Sequence, residues 1–206
     1  MSSKYPLRTK RKAETRKKIV RAAQEILYRK GYEATTLEEI AEAAGVHVQT
    51  LYRHFANKQE LASSSDWSWF QRFSDTISNP SRTENTFEFW RGWLEVTFRH
   101  LTSDGGDGYR RYITVRHANP PILGQLSTIR AQYEDLLCES LAEDFGMSPV
   151  GPGKPRLVAG MLLAGSSYVL RRFEVEDDID LIGEAIAVVD EVEKMFGHLI
   201  RERATS

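Results

Sequence analysis

The chain has 206 residues, 41% of them hydrophobic and 28% charged, with a formal net charge of −1. That apolar share suits a packed core and excludes wholesale disorder. The single cysteine, Cys138, excludes an internal disulfide framework and points to a reducing compartment. No stretch approaches the roughly 18 apolar residues of a membrane span, and no apolar run follows the basic N-terminal stretch. The expectation is a soluble, cytoplasmic protein without a signal peptide. The charge is unevenly placed: residues 1–60 hold 13 Lys and Arg against 7 Asp and Glu, while residues 61–206 hold 15 against 22. A basic first third on an acidic remainder suggests an anionic partner for the first third alone.

Residues 1–12 carry Lys4, Arg8, Lys10, Arg11 and Lys12 around Pro6 and are expected as a basic flexible arm. From Ala13 the pattern becomes helical, with Ile19, Ala22, Ala23, Ile26 and Leu27 on one stripe and Gly31 as its stop. Thr36 and Glu39 form a capping box for a short second helix with Leu37, Ile40, Ala41 and Ala44 on its apolar face. Gly45 breaks that helix, and Val46 leads into a third with Leu51 and Phe55 turned inward. Asn57 and Glu60 repeat the capping pattern and open a longer helix running past Trp69 and Phe73 towards Ile77. Further helices are predicted over residues 86–101, 108–117, 122–145, 156–173 and 179–203, separated by Gly and Pro clusters. No run alternates with period two, so the fold class is all-α with about nine helices in total.

Two short helices joined by a tight Gly turn, with a supporting helix before them, make a helix-turn-helix pattern. The stretch over residues 35–61, TTLEEIAEAAGVHVQTLYRHFANKQEL, resembles the DNA-binding signature of the tetracycline-repressor (TetR) family of bacterial regulators. The resemblance reaches back to about Arg16 and rests on the paired Thr, Ala-Gly-Val, Thr-Leu-Tyr, Phe55 and Lys58. It implies a helix-turn-helix DNA-binding domain at 13–60 and a larger helical ligand-binding and dimerisation domain at 61–206. On the third helix His47, Val48, Gln49, Thr50, Tyr52 and His54 are available to a major groove. By resemblance Tyr52 and Lys58 meet phosphates, with Thr36 beside a phosphate at the second helix's N-terminus. His47 stands where the family usually has Ser, a better N-cap, but it can donate to a phosphate or base. Gln49 stands where the family often has Gly, and its amide matches the major-groove edge of adenine. Thr50 is a candidate for a base or a thymine methyl, and each of these residues also has an ordinary structural reading as cap, packed ring or solvated charge.

In the remainder, small residues over 159–167 would let two helices approach closely, and Ile182, Ile186, Val189, Val192, Phe196 and Leu199 recur at helical spacing. The expectation is a homodimer through the last two helices, two heads reading a two-fold double-stranded DNA operator. Aromatic residues crowd the helices between, and Trp67, Phe70, Phe73, Trp90, Trp93, Tyr112, His117 and Tyr133 are candidates for a ligand pocket. Such stripes more often form core, yet as a set they suit a largely apolar or aromatic small-molecule effector, with Arg116, His117 or a Tyr hydroxyl as polar anchors. No nucleophile elbow, phosphate loop, dinucleotide Gly motif or metal-ligand spacing is present, so catalytic residues, metal and cofactor are all expected to be absent. The expected function is a ligand-responsive transcription regulator, most simply a repressor. The alternative is a ligand-independent DNA-binding or chromosome-organising interaction protein with the same head.

Overall fold

The computed structural model describes residues 5–103, 106–117 and 120–201, with backbone alone for residues 5–9, 28, 65, 111, 112, 115–117 and 121. The described residues form ten α-helices and one terminal 3-10 turn, with no strand among them. In chain order the helices are α1 (Tyr5–Lys30), α2 (Leu37–Ala43), α3 (Val48–Tyr52), α4 (Lys58–Ala62), α5 (Ser64–Ile77), α6 (Thr86–Leu101), α7 (Asp107–His117), α8 (Pro120–Phe145), α9 (Lys154–Val175) and α10 (Leu181–Phe196). They divide into two compact units, a head of Met1–Ser68 with Arg111–Leu126 and a body of Trp69–Arg110 with Ser127–Ser206. The head therefore takes in more than residues 13–60: Leu61, Ala62 and Ile122 are buried in its core beside Ile19, Ile26, Ile40, Leu51 and Phe55.

The first helix starts at Tyr5, so the basic stretch expected as a flexible arm rides on its opening turns as far as the description reaches. Lys and Arg are good helix formers, and Pro6 falls in the first turn, where its missing N–H costs no hydrogen bond. Residues 1–4 of that arm, Lys4 included, lie outside the described residues.

The long helix expected from Asn57 is broken once, at Ser63, which gives ten helices in place of nine. Ser63 Oγ donates to the Gln59 and Glu60 carbonyls, the local competition that makes serine a poor helix-interior residue. Helix α6 has the limits expected of it, but its cap is stronger than the sequence reading allowed. Asn85 Oδ1 accepts from the Phe87 and Glu88 amides, and Glu88 returns the bond to the Asn85 amide at 2.9 Å. The last helix ends at Phe196 and tightens into the 3-10 turn Gly197–Leu199, short of the expected residue 203.

In the body, α10 packs on α9 and α6. Its approach to α9 depends on Gly165, because a Cβ there would overlap the Val188 side chain. Ala159 and Ser166 are likewise buried within the chain, so half of the small-residue stripe is internal packing. Across the same junctions Arg91 pairs with Asp190 and Glu193, and Arg172 with Glu184, while Arg172 also pairs with Glu176 at the end of its own helix.

Candidate functional site

The head is held from below by a short core and leaves one polar face open. Leu51 within α3 and Phe55 just beyond its end are buried in one core, while Tyr52 and Arg53 between them are exposed. Gly45, at φ +65°, makes the turn between α2 and α3 in a left-handed conformation that other residues avoid. Thr36 and Glu39 complete their capping box, each side chain accepting from the other's amide at 3.2 Å. Thr36 is thus a cap on an exposed helix start, with two amides already satisfied.

His47 is the N-cap of α3, its Nδ1 accepting from the Gln49 amide at 3.3 Å. A neutral ring that accepts at Nδ1 carries its proton on Nε2, so the exposed edge of His47 is a donor. Gln49 is exposed and its side-chain amide has no partner among the described residues, while Tyr52 is 50% exposed. Val48 and Thr50 are half-buried, and Thr50 Oγ1 accepts from Arg53 at 3.1 Å.

Lys58 is held at the turn between α1 and α2. Its Nζ donates to the Tyr32 and Thr35 carbonyls at 2.7 and 2.9 Å and lies 4.2 Å from the centre of the Tyr32 ring. Two of its three donors therefore hold the turn between α1 and α2.

His54 has neighbours that the sequence reading did not bring together. With Lys12, Ala13, Arg16 and Arg53 it lines a concavity of about 320 Å³. Arg16 donates to the His54 carbonyl at 2.9 Å and lies 4.1 Å from the centre of the Phe55 ring. Burial pushes the His54 imidazole below its ordinary range, and the charges of Lys12, Arg16 and Arg53 push it further the same way. The spacing of Lys12 and Arg16, one helical turn apart, was legible; their meeting with the end of α3 was not.

In the body the candidate pocket residues Phe70, Phe73, Trp90, Trp93 and Tyr133 do come together. Phe73 is the hub, its ring centre 4.5 Å from Tyr133, 5.2 Å from Trp93 and 5.8 Å from Trp90. Phe70 meets Tyr133 edge-on at 5.2 Å. Trp67 falls in the head unit, and the body begins only at Trp69. The side chains of Tyr112, Arg116 and His117 lie outside the described residues. One feature of the cluster is not plain core: the Trp90 indole N–H is buried with no hydrogen-bond acceptor among the described residues. A separate surface cavity of about 300 Å³ is lined by Ile77, Asn79, Arg82, Leu136 and Glu143, among others.

The family model described as bacterial regulatory proteins, tetR family, matches residues 19–64. The chain is similar to the HTH-type transcriptional regulator TcmR of Streptomyces glaucescens, 28% identical over 190 residues that span 90% of this chain and 83% of TcmR. It is similar also to the HTH-type transcriptional regulator TtgR of Pseudomonas putida, 29% identical over 196 residues, covering 89% of this chain and 92% of TtgR. Among solved structures it resembles SmeT, the repressor of the Stenotrophomonas maltophilia multidrug efflux pump SmeDEF. The complex of SmeT with triclosan superposes with a TM-score of 0.69 at 22% identity, covering 88% of this chain and 91% of SmeT. At that identity the likeness speaks for the fold.

Proposed function

Since the chain belongs to the TetR family of transcription regulators, and is a DNA-binding regulator of transcription rather than an enzyme, we propose that it is a homodimeric repressor released from a palindromic operator by a small, largely apolar or aromatic effector. The observation that carries the DNA half is the outer face of α3. His47, Gln49 and Tyr52 are exposed there over buried Leu51 and Phe55, presenting donors and an amide to a groove. Gln49 reads a base, adenine first; Tyr52 and the remaining donor of Lys58 meet phosphates, as does the start of α2 at Thr36. Val48, Thr50 and His54 complete the contact surface.

The dimer reading is supported by the outer stripe of α9. Leu157 (56% exposed), Met161, Ala164 and Tyr168 (53% exposed) recur every three or four residues, with Val175 beyond them. Gly160 lies beside this stripe with open space where a Cβ would stand, so a partner helix can approach closely. Met195 of α10 is exposed too.

The effector half is supported by the orphan Trp90 donor. A buried N–H without an acceptor costs about 1–3 kcal/mol, and a ligand that brings an acceptor recovers it. The helices α4 and α5 contribute Leu61 and Ala62 to the head core and Phe70 and Phe73 to the aromatic cluster. An effector that prefers the arrangement with displaced heads weakens operator binding by the factor with which DNA weakens effector binding. The fully buried Phe73 hub favours the second reading, a solid body that dimerises and interacts without a ligand. No helix among the described residues is long and apolar enough to cross a membrane, and the cytoplasm is the proposed place of action.

Selection of duplexes from a random pool by the purified protein tests the DNA half. An enriched inverted repeat, bound with a steep salt dependence, supports the dimeric reader. Binding without a consensus removes it. For the effector half, aromatic compounds bearing a hydrogen-bond acceptor should raise the melting temperature and release the enriched duplex, and Trp90→Phe should weaken both responses. A panel that does neither leaves the ligand-independent reading.

A further inference from the structure

Three of the five residues lining the concavity, Lys12, Arg16 and Arg53, are cations, and the other two are Ala13 and His54 itself. Lys12 and Arg16 stand one turn apart on α1, Arg53 caps the end of α3, and His54 follows it. None of the four forms an ion pair among the described residues; Arg16 is held by a carbonyl and a ring, and Arg53 by the Thr50 hydroxyl. Three positive charges gathered beside one imidazole make a local positive field that favours an anion. The concavity lies at the end of the helix whose outer face is proposed to read bases, which makes a DNA phosphate the anion within reach.

We propose that this concavity seats one phosphodiester of the DNA backbone, with His54 entering the complex as an imidazolium, so that DNA affinity is linked to pH. This rests on the DNA-binding reading above and adds to it Lys12, Arg16, Arg53 and a proton. The sign follows from the surroundings. In the free protein burial acts against the charged ring, and among the described residues the charged groups acting on His54 are cations, Lys12 and Arg16 from α1 and Arg53 from its own turn, which act in the same direction. The imidazole is therefore neutral near pH 7. A phosphate placed among these cations reverses the local field and favours the charged ring, which takes its proton from solvent. DNA then binds more tightly as pH falls, because the complex holds a proton that the free head does not.

The test uses the full chain and a fluorescent random-sequence duplex at low salt, since a backbone phosphate needs no consensus. Wild-type affinity should fall as pH rises through the histidine range, by at most about tenfold per pH unit for each proton taken up. His54→Gln should bind with a flat profile, whereas His47→Gln should keep the slope. Arg53→Gln, at an exposed position, and Lys12→Gln should each lower the salt slope by about one. The imidazole resonance of His54 should titrate at higher pH with duplex than without. An unchanged pH slope in His54→Gln, or a flat wild-type profile while the duplex is bound, overturns the proposal and leaves the DNA-binding reading standing. Inorganic phosphate that moves the His54 resonance as far as the duplex does makes this a free-anion site and overturns the backbone assignment. Failure to bind any duplex at any pH overturns the DNA-binding reading, and the proposal with it.

Discussion

The head and the body use their cations differently. In the head, Arg16 lies over Phe55 and Lys58 over Tyr32, each donating to backbone carbonyls, so neither charge is cancelled. Arg21 with Glu25 and Lys30 with Glu39 are ion pairs, both on the exposed surface. In the body, Arg91, Arg156 and Arg172 each meet two carboxylates. A ring face and a carbonyl dipole can hold a guanidinium or ammonium without neutralising it; a carboxylate cannot. The body also sets Arg82 over Phe89 and Arg110 over Phe173, so the difference lies in Arg91, Arg156 and Arg172, which are held by carboxylate pairs, against Arg16 and Lys58, which are held by rings and carbonyls.

The aromatic residues divide in a parallel way. Phe55 in the head is a single buried anchor under the polar face of α3, whereas Phe73 in the body is one ring in a cluster of five or more. Truncating each is the sharpest way to separate the two units. Phe73→Ala should cost about 4 kcal/mol of body stability, read by chemical denaturation. Phe55→Ala should cost a comparable amount in the head and abolish duplex binding. Two transitions that shift independently would support separate units, while one transition shifted equally by both variants would merge them.

Lys58→Met keeps the stem over Tyr32 but removes two hydrogen bonds to carbonyls. We expect a loss of about 2 kcal/mol from the head. If Lys58 also meets a phosphate, the salt slope falls by about one as well; an unchanged slope would assign it to the turn alone. Arg91→Ala, in the body, removes a partly exposed pair whose loss should cost about 1 kcal/mol and leave duplex binding untouched. Loss of DNA binding in that variant would contradict the division of labour between the cations. Thr36→Ala removes the cap of α2 and should also cost about 1 kcal/mol. The smallest effect concerns the free protein's own pH dependence. Because His54 titrates below its ordinary value near 6.5 when folded, the unfolded chain holds more protons between the two values. Stability should be fully present above that range and decline as pH falls through it, and His54→Gln should remove this decline.

Much of the head could be read directly from residue order. The capping box at Thr36, the Gly45 turn and the inward Leu51 and Phe55 are local features, each set by residues within one or two turns of one another. The limits of α6 were legible for the same reason. The break at Ser63 was not anticipated, because serine competition with the helix is weak and its outcome depends on what surrounds it. The role of Lys58 was hidden for another reason: its acceptors, Tyr32 and Thr35, are far away in sequence.

The sequence by itself determined that the chain is helical, where most helices begin, and that a basic helix-turn-helix head precedes an acidic helical remainder. These follow from short-range periodicity, capping and charge, which act over a few residues. Only the tertiary structure decided that Ile122 belongs to the head core, that Gly165 makes room for Val188, that Trp90 has no acceptor among the described residues, and that Lys12 and Arg16 meet Arg53 and His54. Each of these joins residues distant in sequence through close packing, and packing is a property of the assembled surfaces that no local pattern encodes.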